Sequence, residues 1–219
     1  MTEAVPRAAL VTGAAQPVGA TLARALAAAG WRVAAQDSEA DAVAALAAEI
    51  GGAALVADLA EESAVAALVS RAAASVGSLG LLINAASLCG EDTLTSVDRA
   101  AWDAHLATNL HAPFVLSRAF AAQLPEGASG IIVNLLGEHT KKLRGDRIAY
   151  QVSKAALWSL TRTLALALAP RVRVVGMGGI DRTSWDRPSW DPRRASELTA
   201  TLHFLLAAPA MTGQMIDLS

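Results

Sequence analysis

Cysteine, tyrosine and phenylalanine are scarce: one, one and three among 219 residues. The single cysteine, Cys89, excludes an intrachain disulfide and a multi-cysteine metal site. Charge of one sign is also lacking. The 18 basic and 20 acidic residues nearly cancel, leaving −2, so no basic field calls for nucleic acid as a partner. No apolar run is uninterrupted enough to span a bilayer, so no membrane partner is expected. The opening MTEAVPR has no apolar stretch behind a basic one, which leads us to expect a cytoplasmic protein. What is abundant is apolar: 53% of residues, too many for a disordered chain and enough for one substantial core.

The apolar residues come in short runs separated by helical stretches. Strands are expected at Ala8 to Val11, Arg32 to Gln36, Ala53 to Val56, Leu81 to Ile83, Ile131 to Leu135, Arg173 to Val175 and Met215 to Leu218. Helices are expected at Pro17 to Ala29, Glu39 to Glu49, Ser63 to Val76, Asp98 to Leu124 (bent near Pro113) and Ala149 to Ala169. Gly30 and Gly77 stop two of them and Pro170 a third. Alternating short strands and helices predict a single α/β domain over 1–219. Its doubly wound parallel sheet is of the Rossmann type, with about seven strands and roughly six helices.

TGAAQPVG, residues 12–19, joins the first strand to the first helix. Such a turn aims backbone N–H groups and a helix N-terminus at one point, which favours a phosphate. Gly13 suits the tight turn and Gly19 a close approach of helix to sheet or cofactor. Pro17 suits a first helical position, where no N–H is needed. Asp37 ends the second strand. It either accepts hydrogen bonds from an adenosine ribose, which would favour NAD over NADP, or caps the turn before the next helix. Asp58, in VADLAEES, either lies beside an adenine or caps its own turn.

Tyr150 and Lys154 are four residues apart and share a helix face. An ammonium beside a phenol favours the phenolate and lowers a tyrosine pKa from about 10. That suits an acid/base role near neutral pH. The same pair also occurs on helices that do no chemistry.

In order and spacing, these residues resemble the short-chain dehydrogenase/reductase family. The matching pieces are TGAAQPVG, Asp58 in its DL pair, LLINAAS at 81–87, Asn109 in TNLHAPF, YQVSKAAL at 150–157 and RVRVVGMGG at 171–179. The resemblance implies an oxidoreductase moving hydride between a nicotinamide C4 and a carbonyl or imine carbon. Tyr150 would be the acid/base. Lys154 would hold the nicotinamide ribose and support Tyr150. Asn109 would hold a water in the relay to that lysine, or merely satisfy backbone groups. Asn84 would end the fourth strand and steady the sheet. Implied cofactor contacts are Gly13, Gln16, Pro17, Val18, Gly19, Asp37, Asp58, Leu59, Asn84, Ala85, Ala86, Tyr150, Lys154, Gly179, Ile180 and Thr183; the cofactor is NAD, favoured by Asp37, or NADP.

The chain also departs from the family pattern. Pro17 replaces the middle glycine of the first turn, NNAG reads NAAS, and the expected PG reads Gly178-Gly179. The family's catalytic serine, thirteen residues before the tyrosine, is here Gly137, which has no side chain to polarise a carbonyl. Glu138 is either a catalytic substitute or a solvated loop acid. TGAA, NAAS and RGDRIAY look like the subgroup of pteridine reductases and dihydromonapterin reductases, in which an aspartate replaces that serine. That subgroup usually has arginine at the place of Pro17 and prefers NADPH.

HTKKLRGDR either draws an anionic or polar heterocyclic substrate to the mouth of the site or is a solvated loop. The segment at about 180–197 is a short substrate loop in which Ser-Trp-Asp occurs twice. Trp185 and Trp190 in it would wall a ligand or pack at a subunit interface. The ending TGQMIDLS is short against the family's glycine-rich tail. A homodimer or homotetramer through the helices from Asp98 and Ala149 is implied. The function expected is an oxidoreductase for a small carbonyl, alcohol or pterin-like substrate. The alternative is a catalytically impaired binding or assembly protein, which Pro17, Gly137 and the short lid favour.

Overall fold

The computed structural model describes residues 5–137, 143, 145–179 and 192–218. Seven strands form one sheet: β1 (Ala8–Thr12), β2 (Arg32–Asp37), β3 (Ala53–Val56), β4 (Leu81–Asn84), β5 (Gly130–Gly137), β6 (Val172–Gly178) and β7 (Met215–Asp217). Their order is β3-β2-β1-β4-β5-β6-β7 and every pairing is parallel. β1, β4 and β5 are buried along their whole length. Strands covered on both faces need no polar alternation, which is why they read as plain apolar runs.

The helices are α1 (Pro17–Ala28), α2 (Ala40–Ile50), α3 (Glu62–Val76), α4 (Arg99–Leu106), α5 (Ala112–Gln123), α6 (Ile148–Ala167) and α7 (Pro192–Ala207). Successive strand residues point to opposite faces. Ala9 and Val11 therefore pack with Leu22 of α1, Leu46 of α2 and Leu202 of α7. Ala8 and Leu10 pack on the other face with Leu68 of α3 and with Leu116 and Phe120 of α5. Phe120 is fully buried; its truncation to alanine would cost about 3–5 kcal/mol. Among the described residues, no helix is long and apolar enough to cross a membrane.

Two features of the helices, one expected and one not, have physical causes. The long helix expected over 98–124 bends before Pro113, through a π-helical turn at Ala107–His111. Pro113 has no N–H for the carbonyl four residues back, that of Asn109, so the α pattern cannot run through it. The turn widens instead, and the N–H of Ala112 reaches the carbonyl of Ala107. Helix α7 was not expected, and it makes residues 192–197 of the expected substrate loop helical. Leu198, Leu202 and Leu205, all buried, mark its core face at helical spacing. Its end is held from the sheet, where Arg173 of β6 donates to the carbonyls of Leu205, Ala208 and Met211 at 2.9–3.2 Å.

Candidate active site

Strand order reverses between β1 and β4, the place where an open parallel sheet leaves a crevice beyond its strand ends. Gly13 follows β1 there with φ +63°. A Cβ on it would stand 2.6 Å from Cα of Ala86 and 2.7 Å from its nitrogen, so only glycine lets the turn lie this close to the end of β4. Thr12 fixes the other wall, its hydroxyl accepting the N–H groups of Ala85 and Ala86 at 3.1 and 3.2 Å. Asp37, buried at the end of β2, accepts from Ala15 N–H at 2.9 Å and from Glu39 N–H at 3.2 Å. Its carboxylate thus holds the first turn against β2 and starts the segment leading to α2.

Gly13, Gln16, Asp37, Asp58, Leu59 and Ala86 line one cavity of about 250 Å³. Asp58 also caps its own turn, accepting from Ala60 N–H at 2.8 Å. Pro17 opens α1, and Gln16 before it gives no side-chain cap. The N–H groups of Val18 and Gly19 have no acceptor within the helix. This donor set suits a phosphate, and the acidic wall suits ribose hydroxyls, so the residues fit a dinucleotide. The side chain of Val18 packs in the core, so only its backbone is available to a ligand.

Tyr150 and Lys154 lie on α6 beside β5, 1% and 2% exposed and not among the residues that line this cavity. The ammonium nitrogen of Lys154 is 5.9 Å from the centre of the Tyr150 ring and donates to the carbonyl of Leu135 at 2.8 Å. Asn109, in the π-helical turn, is fully buried. Its amide exchanges two hydrogen bonds with the backbone of Leu88, each 2.8 Å, and donates to the hydroxyl of Ser153 at 2.9 Å. Asn84 donates to Asn134 across the β4–β5 pair at 2.7 Å, and Asn134 donates to Thr161 of α6 at 2.9 Å. Asn84 and Asn134 therefore tie the sheet to α6, and Asn109 ties the Leu88 segment to it.

Gly137 ends β5 at φ +74°. L-residues with side chains avoid that conformation, so the backbone here is built for glycine and not for a serine that has been pruned. Gly179 has φ +77°, and its missing Cβ points at Asp217 and Leu218. Its glycine thus has a packing reason of its own. Glu138, Ile180, Thr183, Trp185 and Trp190, and His139, Lys141, Lys142 and Arg144 of the basic loop, lie outside the described residues. Asp92 escaped sequence reasoning altogether. Its carboxylate accepts from the N–H groups of Ile148 and Ala149, the start of α6.

Comparison with known proteins agrees with this geometry. Residues 7–193 match the family described as short chain dehydrogenase. D-threitol dehydrogenase of Mycolicibacterium smegmatis is 32% identical over 84% of this chain and 76% of its own length. L-xylulose reductase of Mesocricetus auratus is 33% identical over 83% and 77%. The crystal structure of FolM alternative dihydrofolate reductase 1 from Brucella canis, complexed with NADP, superposes with a TM-score of 0.87. It is 35% identical and covers 99% of this chain and 94% of that one. A switch-point cavity whose donors fit a phosphate, a buried Tyr150–Lys154 pair and a match over nearly the whole chain place this protein in the short chain dehydrogenase family, as a nicotinamide-dependent oxidoreductase.

Proposed function

We propose that the protein reduces a small pterin-like substrate, with NADH as the preferred cofactor and Tyr150 as the proton donor. The observation that carries this reading is the buried Tyr150 with the Lys154 ammonium 5.9 Å from its ring centre. A nicotinamide bound in the crevice supplies the hydride. Tyr150 gives the proton to the oxygen or nitrogen on the carbon being reduced. Lys154, anchored by Leu135, holds the nicotinamide ribose beside Tyr150. Asn109 keeps the Leu88 segment and α6 in register. Asp37 faces the adenosine ribose, where its charge disfavours an added phosphate. Glu138 is the acid next to the place left bare by Gly137.

The pterin-like class is favoured by likeness to the Brucella canis FolM reductase over almost the full length of both chains. The polyol and ketose enzymes cover less of this chain. A homodimer or homotetramer is supported by Phe114 of α5 and Val152 of α6, which stay 38% and 42% exposed; sedimentation tests it.

Titration with NADH and with NADPH, followed by cofactor fluorescence, comes first. Tighter NADPH binding would refute the reading of Asp37, and the NADP in the Brucella canis structure makes this a sharp test. Turnover of dihydrofolate over L-xylulose, abolished in Tyr150→Phe, is the expected result. The reverse preference would move the substrate to the ketose class. Cofactor binding with no turnover of either would leave the impaired binding protein.

A further inference from the structure

Helix α6 has no cap of its own. Its N-cap residue, Arg147, makes no side-chain cap, and its first turn contains no acidic residue. The cap comes from Asp92, in the segment between β4 and α4. Its carboxylate, in a residue 6% exposed, accepts from the N–H groups of Ile148 and Ala149, immediately before Tyr150. The segment is fastened there by more than one bond. Asp92 N–H donates to the carbonyl of Asp146 at 2.9 Å, and Asp92 and Arg147 form a parallel bridge. Arg147 folds back to donate to Sγ of Cys89 at 3.4 Å. Four residues before Asp92, Leu88 is held by Asn109, which also bonds Ser153, whose hydroxyl donates to the carbonyl of Tyr150 at 2.7 Å. The strap 88–92 thus grips the first two turns of α6 at both its ends, and Leu88 also lines the cofactor cavity.

We propose that Asp92 is a positioning residue, a remote cap that sets where Tyr150 stands against the cofactor and substrate. The inference rests on the reading of Tyr150 as the proton donor. A carboxylate on a helix N-terminus satisfies donors the helix cannot satisfy itself and favours the dipole. Here the first side chain after those donors is the reacting one, so a frayed first turn would displace the chemistry directly.

The test uses the full chain and two variants. Asp92→Asn keeps an oxygen acceptor, and Asp92→Ala removes it. Tyr150 is the chain's only tyrosine, so isotope-labelled tyrosine gives one ring environment in NMR. That signal should shift and broaden in Asp92→Ala and stay near wild type in Asp92→Asn. With NADH and dihydrofolate, kcat should fall about a hundredfold in Asp92→Ala, while the Kd for NADH moves less than about twofold. Asp92→Asn should recover most of the rate. Asp98→Ala removes a comparable cap from α4 and should leave the ring signal in place. If Asp92→Ala does not fold, Asp92→Glu, with the same charge and a longer reach, should shift the signal instead. An unmoved ring signal in folded Asp92→Ala, or in Asp92→Glu where Asp92→Ala does not fold, overturns the proposal, as does an equal shift in Asp98→Ala. The ring signal needs no turnover, so a wrong substrate assignment would show separately, as failed catalysis in the wild type.

Discussion

The first-turn end of the candidate site and its Tyr150–Lys154 end are assembled differently. At the first-turn end the bonds of Asp37 join consecutive elements, Ala15 to Asp37 spanning 22 residues and Asp37 to Glu39 only two, while Thr12 reaches across to Ala85 and Ala86, 73 and 74 residues away. At the catalytic end the bonds join segments far apart: Asp92 to Ile148 spans 56 residues and Asn109 to Ser153 spans 44. Asp37 and the first turn belong to one local βαβ unit, whose parts find each other through a short connection before the end of β4 closes on it. The other end exists only after β4, β5, the π-helical turn and α6 have met, since long-range closure must precede its contacts. Damage to one end should therefore leave the other standing.

The largest effect should come from Tyr150→Phe. Losing the acid/base should lower kcat about a hundredfold to ten-thousandfold. The ring stays and Lys154 still reaches Leu135, so NADH affinity should hold. Steady-state rates beside a fluorescence titration check both parts. A parallel loss of cofactor binding would mean that the ends are not separable.

Asp37→Ala is the converse. It leaves the partly buried N–H of Ala15 without its acceptor, a loss of about 1 kcal/mol. Loss of the ribose contact should weaken NADH about tenfold, equal to about 1.4 kcal/mol. At saturating cofactor kcat should stay near wild type. Thermal unfolding and cofactor titration give the two numbers. A large fall in kcat would show the first turn steering the chemistry.

The same contrast explains what could be read in the sequence. Asp37 and Asp58 stood out because their partners Ala15, Glu39 and Ala60 lie in the same stretch of chain; Gly13 stood out by its place in the turn, although the backbone it must clear, that of Ala86, is 73 residues on. Tyr150 and Lys154 stood out because one helix carries both. The strand pattern was legible because buried parallel strands are plain apolar runs, and the expected bounds fall within a few residues of those found. Asp92 gave no such signal: GEDTLTS is an ordinary polar loop until α6 arrives against it. Gly137 was legible as a missing hydroxyl but not as a left-handed backbone, which depends on how β5 ends beside β6. Helix α7 was masked by the tryptophan- and proline-rich stretch before it, although Leu198, Leu202 and Leu205 carry its period.

Gly137→Ser sharpens the point about the catalytic end. A hydroxyl restored there sits on a backbone at φ +74°. The strain should cost about 1–2 kcal/mol, which lowers Tm by several degrees in a chain of this size, at about 2–4 °C per kcal/mol. Turnover should not rise. A gain in kcat without loss of stability would show that the backbone relaxes to the serine conformation, and that this end is more adaptable than its buried network implies.

The smallest effect belongs to the local end. Arg24 of α1 and Glu49 of α2 form a two-point bond at 2.6 and 2.8 Å, each about half exposed. The hydrogen bond from Arg24 lowers the Glu49 pKa below its ordinary 4.5 and raises that of the guanidinium. A carboxylate with a depressed folded pKa contributes its stability above the unfolded value and loses it as pH falls through the folded one. Arg24 stays charged throughout. Arg24→Gln should therefore lower Tm slightly at neutral pH, with the difference fading below pH 4.5 and in high salt. Cofactor affinity should not follow, because the pair joins the outer ends of α1 and α2, away from Gly13 and Asp37. Melting curves over pH, run beside NADH titrations, separate the two quantities. If affinity falls with Tm, the local end depends on how α1 and α2 are held together, and its apparent independence would be a property of the whole βαβ unit.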